Sequence, residues 1–276
     1  MRLLREDDYY EETRVLLERA YLEAGDPRGE SGFGGDEVRW ERARRPIVSA
    51  IDRDGAFLDI GCANGLLMES VAAWAGEAGY RVEPYGLDLI GALAALARQR
   101  LPLWADRVFI GNVMDWQVPF RFDFVRTELE YVPPCRRREM VERLLREFLS
   151  PGGRLILCSY GSSRRPTPKA EPVGEILRDW GYAVAGEAEG VDTNGVVFTR
   201  IAWTDTPDAC SLKPLIRSSL TRLGPRPLYP GPSRRCRQCT VGYRGRARRP
   251  RRRRAGCAQQ SGRLRAGSCS CRYCAT

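Results

Sequence analysis

From residue 56 onward, short apolar runs alternate with stretches whose apolar residues recur every three to four positions. The runs at 57–60, 85–89, 108–111, 122–126, 154–159, 182–185 and 196–203 have the length of buried strands. Helical periodicity fills 66–74, 90–100 and 136–148, the last stopped by Pro151-Gly152-Gly153, and returns at 172–180. Strands that alternate with helices pair in parallel, and their crossovers cover both faces of the sheet. No helical stretch separates the last two runs, only a short segment that turns at 190–195, so they close the sheet as an antiparallel hairpin. The pattern predicts an α/β domain with a mostly parallel, seven-stranded sheet.

Two helical segments precede it. In 7–24, Tyr10, Leu17 and Tyr21 share a helical face. After the break at Gly32-Phe33-Gly34-Gly35, Asp36 is placed to cap a second helix with Trp40, Ile47, Val48 and Ile51 on one side. Pro46 kinks or restarts that helix. Residues 1–51 thus read as an added helical segment and 52–205 as the main domain. Beyond 205 no period persists, and Pro, Gly, Ser, Arg and Cys dominate, so 206–276 reads as a disordered tail.

Charge divides at the same point. The chain has a net charge of +10, yet residues 206–276 hold 18 of the 45 Lys and Arg and one acid, Asp208. The first 205 residues carry 27 basic and 34 acidic side chains, so the domain is acidic. No apolar run reaches the roughly 18–20 residues that span a bilayer, and the start, Met1-Arg2-Leu3-Leu4-Arg5-Glu6, turns acidic where a secretory leader is apolar. The expectation is a cytoplasmic protein with no membrane partner. The sequence contains no histidine, which removes Ser-His-Asp and Cys-His catalysis and histidine metal sites. Acid–base chemistry falls to Asp, Glu, Tyr, Cys, Lys or water.

Candidate chemistry begins at Asp59-Ile60-Gly61-Cys62-Ala63-Asn64-Gly65, between a predicted strand and a predicted helix. Small residues at 61, 63 and 65 allow a sharp turn and a close backbone approach to a ligand at a helix start. A dinucleotide fingerprint needs glycine at 61, 63 and 66, and 63 is Ala and 66 is Leu. Asp88, with Leu89, ends the second strand, where a carboxylate accepts both hydroxyls of a ribose. Asn112 and Val113 end the third, where an amide meets an adenine amino group. Three such groups at successive strand ends mark the carboxyl edge, where open α/β sheets bind ligands.

With these motifs, residues 57–203 resemble the class I S-adenosylmethionine-dependent methyltransferases, whose fold is Rossmann-like. Leu58-Asp59-Ile60-Gly61-Cys62-Ala63-Asn64-Gly65 matches that family's first motif with Ala63 for a glycine, Asp88 its ribose-binding acid, and Asn112 the position of its adenine-side Asp. The resemblance implies S-adenosyl-L-methionine as cofactor, with Thr127 added to its contacts. It implies an acceptor site after the fourth strand, with Glu128, Glu130 and Tyr131 as catalytic candidates and Tyr160 as a further one. Tyr9, Tyr10, Tyr21, Phe33 and Trp40 offer an aromatic lid, which favours a small-molecule acceptor with O or N as the methylated atom. An RNA or protein acceptor docked through the tail, and a non-catalytic binding module, are the alternatives. Pro133-Pro134-Cys135 is similar to the nucleophile motif of cytosine-5 methyltransferases but reads as a loop-to-helix junction.

The tail admits two readings. Cys236-Arg237-Gln238-Cys239 and Cys271-Arg272-Tyr273-Cys274 have the spacing of zinc ligand pairs, and the positive charge suits phosphate. Almost no large apolar residue lies between those pairs, so no metal is expected, and the composition is that of a GC-rich gene read out of frame.

Overall fold

In the computed structural model, residues 6–162 and 169–207 are described. The seven-stranded sheet has the order β3-β2-β1-β4-β5-β7-β6. Its strands are β1 (Gly55–Ile60), β2 (Val82–Asp88), β3 (Val108–Ile110), β4 (Phe122–Glu128), β5 (Leu149–Tyr160), β6 (Gly186–Val191) and β7 (Val197–Asp205). The first five pair in parallel, and β7 runs antiparallel to both β5 and β6. The architecture read from the hydrophobic pattern is therefore the one observed. The tail, with its Cys-x-x-Cys pairs, lies outside the described residues from 208 onward.

The helices are α1 (Glu6–Leu22), α2 (Glu37–Arg44), α3 (Leu66–Glu77), α4 (Gly91–Arg100), α5 (Arg137–Arg143) and α6 (Val173–Asp179). Asp36 caps α2, its carboxylate accepting from Arg39 N at 2.8 Å, and Pro46 restarts the chain as a 3-10 segment, Arg45–Ala50. On one face of the sheet, Leu58, Val125, Leu155 and Leu157 pack against Met140, Val141, Leu144 and Phe148 beneath α5. On the other, Phe57, Phe124, Ile156 and Ile201 meet Val71 and Ala75 of α3 and, from the N-terminal segment, Trp40 and Ile47. Each Val, Leu, Ile, Phe or Met side chain among them contributes about 1.5–3 kcal/mol when fully buried. No helix among the described residues is long and apolar enough to cross a membrane.

Two expected boundaries are corrected. Residues 182–185 form no strand; β6 starts at Gly186. Tyr182 and Val184 supply the apolar signal by packing on the core from a turn after Gly181, whereas the edge strand alternates small residues with exposed Glu187 and Glu189. The fifth strand begins at Leu149 rather than 154, because Leu149 pairs with Phe122 across an irregularity in the ladder.

Candidate active site

The loop after β1 is fixed by backbone geometry. Gly61 and Gly65 have φ of +74° and +76°, and Ala63 is a non-glycine residue at positive φ, 46°. Gly61 N and Cys62 N both donate to Leu87 O, which ties the loop to β2. Any Cβ on Gly61 would stand 2.5 Å from Cζ of Tyr131, so glycine is required by contact as well as by φ. Cys62 lies buried beneath the loop, and burial raises its thiol pKa well above the ordinary value.

Asp88 holds the loop from the neighbouring strand. One carboxylate oxygen accepts from Ala63 N at 2.8 Å and the other from Ile90 N at 2.7 Å. Burial pushes its pKa up to about 6, against the two amide bonds. Asn112 lies just beyond β3, whose Ile110 is in register with Asp88, and its side-chain oxygen accepts from Met114 N at 3.0 Å. Asp59, Gly61, Cys62, Ala63, Asn64, Gly65, Asp88, Leu89, Asn112 and Val113 thus gather at one edge of β1–β3. Each oxygen of Asp88 retains a second lone pair for a further donor.

The end of β4 carries different chemistry. Arg126 is 2 % exposed and lies beside β1 in register with Asp59. Its Nη1 donates to Asp59 Oδ1 at 3.1 Å and to Tyr131 Oη at 3.1 Å, and its Nη2 donates to Tyr160 Oη at 3.2 Å. Nη2 also makes a short contact with Glu128 Oε1, which accepts from Tyr131 Oη at 2.6 Å. One guanidinium therefore joins three of the four predicted β4–β5 side chains, Glu128, Tyr131 and Tyr160, and not Glu130. Thr127 points to the opposite face, fully buried, and its hydroxyl has no partner.

The two glutamates differ in charge. Burial raises Glu128, but the adjoining Arg126 outweighs it and holds the carboxyl below the ordinary range. Glu130 keeps part of its surface open to solvent, but its carboxyl hydrogen-bonds Glu128, and loss of water there, with the charge of Glu128, pushes it up to about 8. The shared proton therefore resides on Glu130 at neutral pH. Burial also lifts Asp59 to about 6 against the pull of Arg126, and Asp59 Oδ2 has no partner.

The N-terminal segment covers this edge. Leu17 and Tyr21 of α1 pack on Ala63, Ile90 and Leu93, and Tyr9 Oη donates to Glu130 O at 2.7 Å. Burial, reinforced by Glu128, Glu130 and Asp88, pushes the Tyr21 phenol up to about 12. Asn64 reaches outward to Pro27 O at 2.7 Å and Glu30 Oε2 at 3.2 Å. Phe33 and Trp40 meet edge to face at 5.2 Å and pack on the sheet rather than over the loop. Cys135 is exposed in the 3-10 turn Pro134–Arg136 that leads into α5.

Two side chains of this cluster escaped the sequence reading. Arg126 had one signal, a charge inside the apolar run Phe122-Asp123-Phe124-Val125-Arg126. Arg44, at the end of α2, had none. It is 9 % exposed, and its guanidinium lies 3.3 Å from the centroid of the Tyr160 ring.

This sheet order is the Rossmann-like fold of the class I methyltransferases. Solved structures share it. The N-methyltransferase NodS of Bradyrhizobium japonicum WM9, solved with S-adenosylhomocysteine, is 17% identical with a TM-score of 0.51, over 71% of this chain and 99% of its own. The 1,6-didemethyltoxoflavin-N1-methyltransferase of Burkholderia thailandensis is 20% identical with a TM-score of 0.53, over 75% and 93%. Magnesium protoporphyrin IX methyltransferase of Synechocystis PCC 6803 is 19% identical with a TM-score of 0.51, over 72% and 97%. At these identities the likeness establishes the fold. No family model matches the chain, and no curated protein matches it in sequence.

Proposed function

We propose that this protein is an S-adenosylmethionine-dependent methyltransferase that acts in the cytoplasm on oxygen or nitrogen of a small-molecule acceptor. The observation that carries the reading is the joining of the loop at Gly61–Gly65 to Asp88, with Asn112 at the next strand end and a buried charged cluster beside them on β4. The donor set fits the cofactor: Asp88 keeps lone pairs for two hydroxyls, Asn112 offers an amide, and Asp59 Oδ2 is a buried acceptor awaiting a donor. Asp59, Gly61, Cys62, Ala63, Asn64 and Gly65, Asp88 and Leu89, and Asn112 and Val113 would hold it, with Thr127 contributing through its backbone at the end of β4. Because α1 and Tyr131 lie against the loop, the N-terminal segment acts as a lid whose α1 moves to admit it while α2 stays packed on the sheet.

The bound cofactor supplies a methyl group already activated for displacement. The chain's own task is to orient the acceptor, exclude water and take up its proton. Glu130 is suited to the last role. It is the accessible carboxyl of the cluster and its pKa is near the working range, whereas Glu128 is committed to Arg126 and Tyr131. Glu128 and Tyr131 set the position and charge around it. Support for a small acceptor comes from the lid and from the toxoflavin-precursor and protoporphyrin named for two enzymes of like fold. Transfer of labelled methyl into a small-molecule extract tests the reading. Labelled metabolites are expected; label in RNA or protein alone, or cofactor binding without transfer, would each replace it.

A further inference from the structure

Arg44 is nine-tenths buried, and among the described residues no carboxylate lies within ion-pair distance of it. Its guanidinium is held by aromatic faces, 3.3 Å from the Tyr160 ring centroid, 5.2 Å from Trp40 and 5.4 Å from Phe33. Those contacts occupy its π face but not its N–H groups, and Nη1 is buried with no hydrogen-bond partner. A buried cation with an unmet donor is costly unless an anion completes it. Arg126, by contrast, already holds Asp59 and Glu128.

Position decides which ligand completes it. Tyr160 ends β5, and β4 and β5 lie on the far side of β1 from Asp88 and Asn112. Arg44 therefore stands on the acceptor half of the edge, with its charge felt by Tyr160, Glu128 and Asp59. A single uncommitted guanidinium matches one negative charge, as on a carboxylate, and leaves the second charge of a phosphate monoester without a partner.

Resting on the methyltransferase reading, we infer that the acceptor carries a carboxylate, that Arg44 binds it against the Tyr160 ring, and that this group is the anchor and not the methylated atom. The nucleophilic oxygen or nitrogen then faces Glu130.

The full chain is incubated with methyl-labelled S-adenosylmethionine and a small-molecule extract, and the products are separated on an anion exchanger at neutral pH. Label is expected in the retained, acidic fraction. Arg44→Gln lowers it by about 30-fold or more, the loss that follows when a buried carboxylate is left without its partner. Calorimetric affinity for S-adenosylmethionine stays within about 3-fold, and Arg44→Lys, which keeps the charge, recovers part of the transfer. Label confined to neutral or cationic products, or undiminished in Arg44→Gln, overturns the inference. So does a variant whose cofactor affinity falls about 10-fold or more, since the guanidinium would then serve the cofactor. A wild-type protein that binds no S-adenosylmethionine removes the methyltransferase reading itself, and the inference with it.

Discussion

The two halves of the binding edge are built differently. Over β1–β3, Asp59 apart, the polar groups belong to the backbone or to side chains that bond to it. Asp88 accepts from Ala63 N and Ile90 N, and Asn112 accepts from Met114 N. Over β4–β5 they are side chains bonded to side chains across strands, with Arg126 at the centre and Arg44 arriving from α2. The first half is fixed by positive-φ loop residues and by the amide bonds to Asp88. The second is held by buried charge, which is strong only while every partner is present. On the proposed reading the first half would hold the cofactor and the second the acceptor.

Arg126→Met breaks the contrast most severely. It strands Asp59 and Glu128 as buried acids, and a loss of about 3–5 kcal/mol in unfolding free energy is expected from urea titration. A loss under about 1 kcal/mol would mean the cluster is not held by charge.

Glu130→Gln acts on chemistry rather than stability. With Glu130 lifted to about 8, the group is protonated below that pH and available as a base above it. Transfer into the extract should rise from pH 6 to 9, as the group loses its proton. The variant should flatten that rise and lose about 100-fold at the high-pH plateau, the lower range for a general base. A pH profile unchanged by the substitution would exclude Glu130 as the base.

Asp88→Asn tests the other half. Removing the charge-assisted acceptor for hydroxyls should weaken S-adenosylmethionine binding about 10- to 100-fold by calorimetry. Stability should change by less than about 1 kcal/mol, because the lost amide bond is offset by no longer burying a charge. Smallest is Ala63→Gly. Relief of the left-handed backbone at 63 less the entropy of glycine leaves a gain of about 0.5 kcal/mol in unfolding free energy. A loss there would show that the methyl group on the core side of the loop matters more than the φ angle.

The same division sets what the sequence reveals. Alternating runs gave the strand order's parallel core and the closing hairpin, because both faces of a crossover sheet must be apolar. Gly61, Asp88 and Asn112 were legible because loop geometry and strand-end position are local properties. The strand at 186–191 was not, since an edge strand with one solvated side carries Glu187 and Glu189 where a buried strand carries valines. Arg126 and Arg44 were not legible as a site, because residues 82 positions apart converge on Tyr160 only after the sheet and α2 have packed. Lid aromatics divided likewise: Tyr21 lies on the loop, whereas Trp40 anchors α2 to the sheet.

Everything proposed for this edge depends on one ligand. Calorimetric titration of the full chain with S-adenosylmethionine and with its demethylated product tests it most directly. Saturable binding of both at a single site, weakened by Asp88→Asn, is the predicted result. Absence of heat and of competition for either compound, from a protein that unfolds cooperatively, would contradict it.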